Sequence, residues 1–437
     1  MSQDTPLHGA LRQKLLIRTL GGERIICFDE LLPSSAGDFF SNDYLSLSTD
    51  AVLREHFLNQ ALAAPRLFGA TASRLSTGNS AEINVLEGRL QRFFGYPAAV
   101  LFPSGYSANA SFFSTVPQEG DAIIYDERTH VSCRDGFRSS PARGATYRFA
   151  HNSVASLEEC IQKVLRKHPG IAQGNSTAFV SVESLYSMEG TFCPLVEMVE
   201  VIEKLIPAGH AHIVVDEAHT SALCGPNGSG YISLLGLHDR IHTVVHTFGK
   251  GWGFHGAAIL TSRQIREYML HITPHLVFST AVPYTDIYGL SSCLDIISGE
   301  RGEQLRQRLR VLCRHAHKQL LIALKRFPEG LLFVEKFSMD DTATRDLDIC
   351  SPIFPLCTAQ AKGLSDYLLT KGYASSPIIY PIVKSPRVRM SIHVSNTEAD
   401  IDSFVGAVVE WATNHAQDVV PLVVHPENKH GEMRARL

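Results

Sequence analysis

The chain has 437 residues, enough for a large domain and a smaller one with a sizeable core. Hydrophobic residues make up 44% and charged ones 19%, a globular balance that argues against disorder. With 40 basic and 44 acidic residues the net charge is −4, which leaves no electrostatic footprint for nucleic acid or an anionic membrane.

Residues 1–45 read as an N-terminal segment with a polar start. It resembles neither a secretory signal nor a clear transit peptide, and no apolar run anywhere approaches the roughly 18 residues of a membrane span. Residues 46–285 read as a large α/β domain. Apolar runs at 98–102, 122–125 and 178–182 predict strands, the first broken by Pro103-Ser104-Gly105 with a helix beginning near Tyr106. Leu195, Met198, Val199, Ile202 and Leu205 recur at helical spacing and predict a helix closed by Pro207. Two further strands are expected at 213–215, ending at Asp216, and at 242–245, ending near Thr247. This alternation describes a mainly parallel sheet between helices, with ligands at the carboxyl ends of its strands.

Residues 286–415 read as a smaller C-terminal α/β domain. A long helical stretch is expected over 285–324, then a polar surface loop at 336–347, shorter strands, and a last helix over 398–413. His315 and His317 lie two apart on the first of these helices, point to different faces, and look solvated beside Arg314 and Lys318. No His-Glu-x-x-His or Cys-x-x-Cys occurs, so no metal site is expected, and the nine dispersed cysteines read as reduced thiols. Residues 416–437 form a polar tail ending in Ala435-Arg436-Leu437, a variant of the Ser-Lys-Leu peroxisomal address. A chance tripeptide, with a cytoplasmic protein, is the alternative.

Four features fall at expected strand ends. Ser104-Gly105-Tyr106 at a helix start offers backbone N–H groups to a phosphate, although Ser-Gly is also a common turn. Asp216 suits either a cationic ring nitrogen or the cap of the next helix. Lys250, in Thr247-Phe248-Gly249-Lys250-Gly251-Trp252-Gly253, is set between glycines after a buried strand, where partial desolvation makes an amine a better nucleophile for an aldehyde. His130 either stacks on a flat ring or is a structural histidine. Together the four ask for a ligand with a phosphate, an aldehyde and a pyridinium nitrogen, which pyridoxal 5'-phosphate combines.

Asn42-Asp43-Tyr44-Leu45, the Ser104 to Asn109 loop, Asp126 to His130, Glu183 to Gly190, Asp216 to His219 and Thr247 to Gly253 follow one another in the order seen in the α-oxoamine synthases. The resemblance covers residues 40–410 and is to fold-type I pyridoxal-phosphate enzymes that join an amino acid to an acyl-CoA with loss of carbon dioxide. It implies that Lys250 forms the Schiff base and moves the α-proton. Asp216 would hold the ring nitrogen, His130 stack on the ring, and Ser187 and His219 reach the phenolic oxygen. Gly105, Tyr106 and Thr247 would hold the phosphate, with Ser279 and Thr280 completing the site of a partner subunit in a homodimer. Glu183 is carried over with the cofactor-binding set, Asn42 and Arg389 with the substrate, Arg389 gripping the amino acid's carboxylate. Arg387 reads equally well as a surface residue of an edge strand.

The lysine stretch is most similar to that of members joining L-alanine to a pimeloyl thioester. Thr220-Ser221-Ala222, Phe254-His255 and Ile379 depart from the pattern of those members, and are expected to line or flank the acyl pocket. Three other readings are weighed: an NAD oxidoreductase, disfavoured because no Gly-x-Gly-x-x-Gly opens the first unit; a non-catalytic subunit, disfavoured because Lys250 and Asp216 are present; and an aminotransferase, which needs no thioester.

Overall fold

The computed structural model describes residues 5–20, 37–328, 330–334, 347–379 and 382–417. The peroxisome-like tripeptide Ala435 to Leu437, Tyr380-Pro381 and nearly all of the expected polar loop at 336–347 lie outside the described residues.

The apolar runs become the strands of a seven-stranded sheet. These are β1 (Ala98–Phe102), β2 (Ala122–Asp126), β3 (Thr146–Phe149), β4 (Ala178–Glu183), β5 (Ala211–Asp216), β6 (Thr243–Thr247) and β7 (Ala257–Thr261), in the order β1-β7-β6-β5-β4-β2-β3. From β6 to β3 every pairing is parallel, whereas β7 lies antiparallel between β1 and β6. Strands β1, β4 and β7 are buried throughout, because helices cover both faces of a parallel sheet and leave no polar side to alternate with. Val100, Phe112, Phe113, Ile123, Phe179, Val214 and Val245 form its core with their neighbours.

The chain divides into two compact units. The larger comprises 43–186 and 191–307; the smaller comprises 1–42, 187–190 and 308–437. The division thus falls at Gln307 and Arg308, not near 285, and Asn42 and Ser187 count with the smaller unit. The long helical stretch also proves to be two helices, Tyr284–Ser298 and Glu300–Leu324, parted where Gly299 adopts an extended conformation.

In the smaller unit β8 (Ile353–Cys357), β9 (Pro377–Ile378) and β10 (Arg387–Ser391) form an antiparallel sheet in the order β8-β10-β9. The helix Glu398–Asn414 is started by a capping box between Thr397 and Asp400, and Phe404 on it packs against Phe39 at 4.5 Å between ring centroids. Because β10 is central, the edge-strand reading of Arg387 fails: its side chain is buried, with Nε donating to the Ser385 carbonyl and Nη1 to that of Met188. His315 is half-buried rather than solvated, its Nε2 lying 2.7 Å from Asp402. Among the described residues no helix is long and apolar enough to cross a membrane.

Candidate active site

Parallel strands deliver their carboxyl ends to one edge of the sheet, and that edge gathers the titratable residues. Glu183 ends β4, Asp216 ends β5, and the two pair directly across the β4–β5 register. Thr247 ends β6, with Lys250 three residues on; β2 ends at Asp126, followed by the turn to His130.

Asp216 is buried and both of its oxygens have donors. Oδ1 accepts from the Ala218 backbone N–H at 2.9 Å, and Oδ2 accepts from Asn109 Nδ2 at 2.7 Å. No helix begins directly after Asp216, so the capping alternative fails: one oxygen fixes a turn while the other faces Asn109. The Asn109 amide also donates to Ser132 Oγ at 3.1 Å, and that hydroxyl lies 2.7 Å from His130 Nδ1. A hydrogen-bonded run thus joins Asp216 to the imidazole.

His130 caps the helix Val131–Ser139, its Nδ1 accepting from the Ser132 N–H. Its ring keeps an exposed face. Desolvation first, and the Lys250 ammonium second, lower its pKa, so the ring is neutral at physiological pH. Glu183 accepts a 2.6 Å bond from the His130 N–H. Burial, and then the adjoining Asp216 carboxylate, raise its pKa well above the usual carboxyl range, which favours the neutral form of Glu183.

Lys250 Nζ lies 2.8 Å from His219 Nε2, and His219 Nδ1 lies 2.7 Å from the Tyr44 hydroxyl. An ammonium can only donate, so Nε2 accepts and the ring proton sits on Nδ1, donating to the Tyr44 oxygen. Tyr44 and His219 are both buried and therefore hold the amine in a fixed direction. The turn bearing Lys250 closes at Gly253, whose left-handed φ of 61° and close approach to the Leu47–Ser48 backbone exclude a side chain.

The phosphate-like cradle is tighter than its sequence discloses. Ser104 caps the helix Gly105–Thr115, accepting from the Ser107 N–H, and Gly105 opens that helix beside Thr247. A Cβ on Gly105 would stand 2.1 Å from Thr247 Oγ1. The helix start, with backbone N–H groups that have no carbonyl within the helix, thus lies directly against the Thr247 hydroxyl, and the two offer neighbouring donors to an anion. Tyr106 is largely exposed and its hydroxyl donates to Asp135.

Other expected residues fall elsewhere. Ser279 and Thr280 are exposed, on a segment that Thr280 bridges to Ser73. In the smaller unit, Arg389 Nη2 donates to Asn42 Oδ1 at 2.9 Å and to the Phe40 carbonyl at 3.1 Å. Its buried Nε has no partner among the described residues. Thr220, Ser221 and Ala222 do not line an open pocket: all three are buried, and Ser221 Oγ accepts from Trp252 Nε1 at 2.8 Å, bracing the lysine loop from behind.

Asn109, Ser132 and Tyr44 complete the site but were not singled out from the sequence. A signal existed for Asn109, because it lies four residues after Gly105 and so on the same helical face. Tyr44 lies in a stretch already noted and Ser132 two residues past another, but pairing them with His219 and Asn109 required the fold.

The sequence pattern of the family described as aminotransferase class I and II matches residues 38–408. The chain is 35% identical to the 8-amino-7-oxononanoate synthase of Emericella nidulans, over 93% of this chain and 97% of that one. It is 31% identical to the aminoacyl transferase sphA of Byssochlamys spectabilis, over 86% and 80% of the two chains. A structure of serine palmitoyltransferase with the pyridoxal-phosphate internal aldimine superposes with a TM-score of 0.75 at 25% identity, covering 93% of this chain and 96% of that one. The architecture is that of fold-type I pyridoxal-phosphate transferases. With strand-end lysine, aspartate and glycine cradle set on that architecture, and a match spanning most of its length, this chain belongs to the aminotransferase class I and II family.

Proposed function

We propose that the protein is a pyridoxal-phosphate-dependent acyltransferase that condenses L-alanine with a pimeloyl thioester to give 8-amino-7-oxononanoate, coenzyme A and carbon dioxide, a step of biotin synthesis. The observation that carries this reading is the Lys250–His219–Tyr44 chain, aimed beside Asp216 and the Gly105–Thr247 cradle at one sheet edge. The likeness to 8-amino-7-oxononanoate synthase supports the choice of substrates.

The residues fit the cofactor. Gly105 lets the helix start lie against the Thr247 hydroxyl, where a Cβ would collide with it, so backbone N–H groups and that hydroxyl would meet a phosphate together. Asp216 would offer a buried carboxylate to a protonated ring nitrogen, and the neutral His130 would face a flat ring. Pyridoxal phosphate supplies there an electron sink for charge developing at the amino acid's α-carbon.

This chain's own groups do the rest. Lys250 Nζ would carry the cofactor and take the α-proton of the amino acid, and the His219 imidazole would hold the amine in line to do so. Asp216, pinned by Asn109 and the Ala218 N–H, would hold a proton on the ring nitrogen. Glu183, bonded to the His130 N–H, would help to fix the residues that hold the cofactor. Ser187 and His219 are assigned the phenolic oxygen, Tyr106 shares the phosphate, and Arg389 with Asn42 is assigned the amino acid's carboxylate through the unpartnered Nε. Ser279 and Thr280 are assigned to the partner's phosphate site in a homodimer. In the net reaction the α-carbon bonds to the thioester carbonyl, the thiolate leaves as coenzyme A, and the carboxylate departs as carbon dioxide.

The likeness to sphA and to serine palmitoyltransferase favours a second reading, the same condensation with another acyl thioester or amino acid. Product mass separates them. Holoenzyme with L-alanine and pimeloyl-CoA is expected to form 8-amino-7-oxononanoate, and the Lys250→Ala variant to form none. Coenzyme A release only with another pair would replace the biotin assignment with the second reading. Amino-group exchange without thioester turnover would point to an aminotransferase and overturn both.

A further inference from the structure

A cavity of about 420 Å³ lies against the turn that follows Lys250. Its walls are Gly253, Phe254 and Gly289 with Leu53, Arg54 and Phe57 of the helix Ala51–Ala63, and residues 48–50 form its edge. The Gly253 N–H donates to the Lys250 carbonyl at 2.7 Å, so the cavity wall and the lysine belong to one turn. The volume lies within the roughly 300–1,000 Å³ of small-molecule sites.

The lining is apolar on one side and carries the charged Asp50 and Arg54 on the other. Phe57 and Phe254 face each other with ring centroids 6.4 Å apart, beside buried Leu53. Asp50 is already matched: Oδ2 accepts from Arg301 at 2.7 Å and Oδ1 from the Leu53 N–H at 2.9 Å. The Ser48 hydroxyl is committed to Asp43 at 2.5 Å. Arg54 is exposed, and among the described residues its guanidinium makes no hydrogen bond or ion pair. A methylene chain suits the phenylalanine walls, and an anion at its far end suits that guanidinium.

We infer that this cavity receives the acyl chain, and that Arg54 grips a carboxylate at the chain's end, selecting dicarboxylic acyl thioesters over monocarboxylic ones of the same length. The inference rests on the condensation proposed above and deepens it, because it makes Phe254 a wall of the acyl site and Arg54 the residue that reads its terminus.

The test compares kcat/KM for pimeloyl-CoA and heptanoyl-CoA, seven-carbon chains with and without the terminal carboxylate, using L-alanine and the holoenzyme. The wild type is expected to favour pimeloyl-CoA. Arg54→Gln should shrink that preference by roughly tenfold or more, the worth of a charge-assisted contact, and Arg54→Lys should restore part of it. An unchanged preference in Arg54→Gln, or an equal loss with both thioesters, overturns the inference and leaves the condensation standing. Turnover of heptanoyl-CoA but not pimeloyl-CoA by the wild type overturns the inference together with the biotin assignment. No turnover of any thioester overturns the condensation itself.

Discussion

His246 and Glu217 lie 4.0 Å apart behind the lysine loop, yet the pair is not ionic. Burial depresses the His246 pKa to about 3, and burial raises Glu217 to about 7 although it accepts the Tyr231 and Ile232 N–H groups. The signs oppose each other. The folded protein binds fewer protons than the unfolded chain at His246 between about pH 3 and the ordinary imidazole value near ~6.5, so that stability is lost as pH falls through the window. At Glu217 the folded protein binds more protons between ~4.3 and about 7, so acidification there adds stability. Burial also depresses His212 to about 3 and lowers His130 and His242, while Glu183 is raised with Glu217, so four imidazoles stand against two carboxyls and set the sign. Melting temperature is expected to fall between pH 6.5 and 5, and His246→Gln to flatten that slope; a slope unchanged by the substitution would contradict the assignment. Gly105→Ala gives a second residue-scale prediction. Its Cβ would press on Thr247 Oγ1, so affinity for pyridoxal phosphate should drop about tenfold or more while circular dichroism stays native. Asn109→Leu should also weaken turnover, by taking from Asp216 the donor that aims it, and a kcat equal to wild type would show that the bond does not position Asp216.

At the scale of elements, the helix Ala81–Phe94 is fastened to β1 by one carboxylate. Glu87 accepts from Arg74 and from Arg266 at 2.7 Å each, and its Oε1 also takes the Leu101 N–H at 3.0 Å. Replacing Glu87 with alanine leaves Arg74 buried without its charge partner, at a cost of about 3–5 kcal/mol, which denaturant unfolding would register. A cost below about 1 kcal/mol would mean that the arginines find other partners. Burial also explains which elements could be read from sequence. Strands β1, β2, β4, β5 and β6 coincide with apolar runs, because both sheet faces are covered. The strand β3 was not anticipated: Thr146 and Arg148 are exposed at the sheet's edge, so its sequence carries no apolar run. The strand β7 escaped for another reason, since Ala257–Thr261 follows the glycine-rich lysine loop and pairs antiparallel across a crossing that no local pattern encodes. The break at Gly299 was hidden by helical periodicity on both sides of it. The chemistry-bearing residues were legible because each stands at a strand end beside a turn residue, whereas Asn109 and Tyr44 act through partners 107 and 175 residues away.

For the molecule as a whole, the proposed homodimer follows from the exposed Ser279-Thr280 segment and from Phe68 and Phe278, which are 78% and 85% exposed in the single chain. Tyr284 N–H bonds to the Phe68 carbonyl and Ala281 N–H to that of Ala72, so Phe68 lies on a strip paired with 281–284, and Phe278 stands just before that strip. Sedimentation should report twice the 48.1 kDa chain mass, and mixing Lys250→Ala subunits with Thr280→Arg subunits should restore turnover that neither has alone; no rescue would argue for self-contained active sites. If Lys250, held by His219 and Tyr44, is the lysine that carries pyridoxal phosphate, borohydride reduction of the holoenzyme followed by peptide mass analysis will find a phosphopyridoxyl group on Lys250 alone. A label on a different lysine, or none in protein that binds the cofactor, would rule Lys250 out.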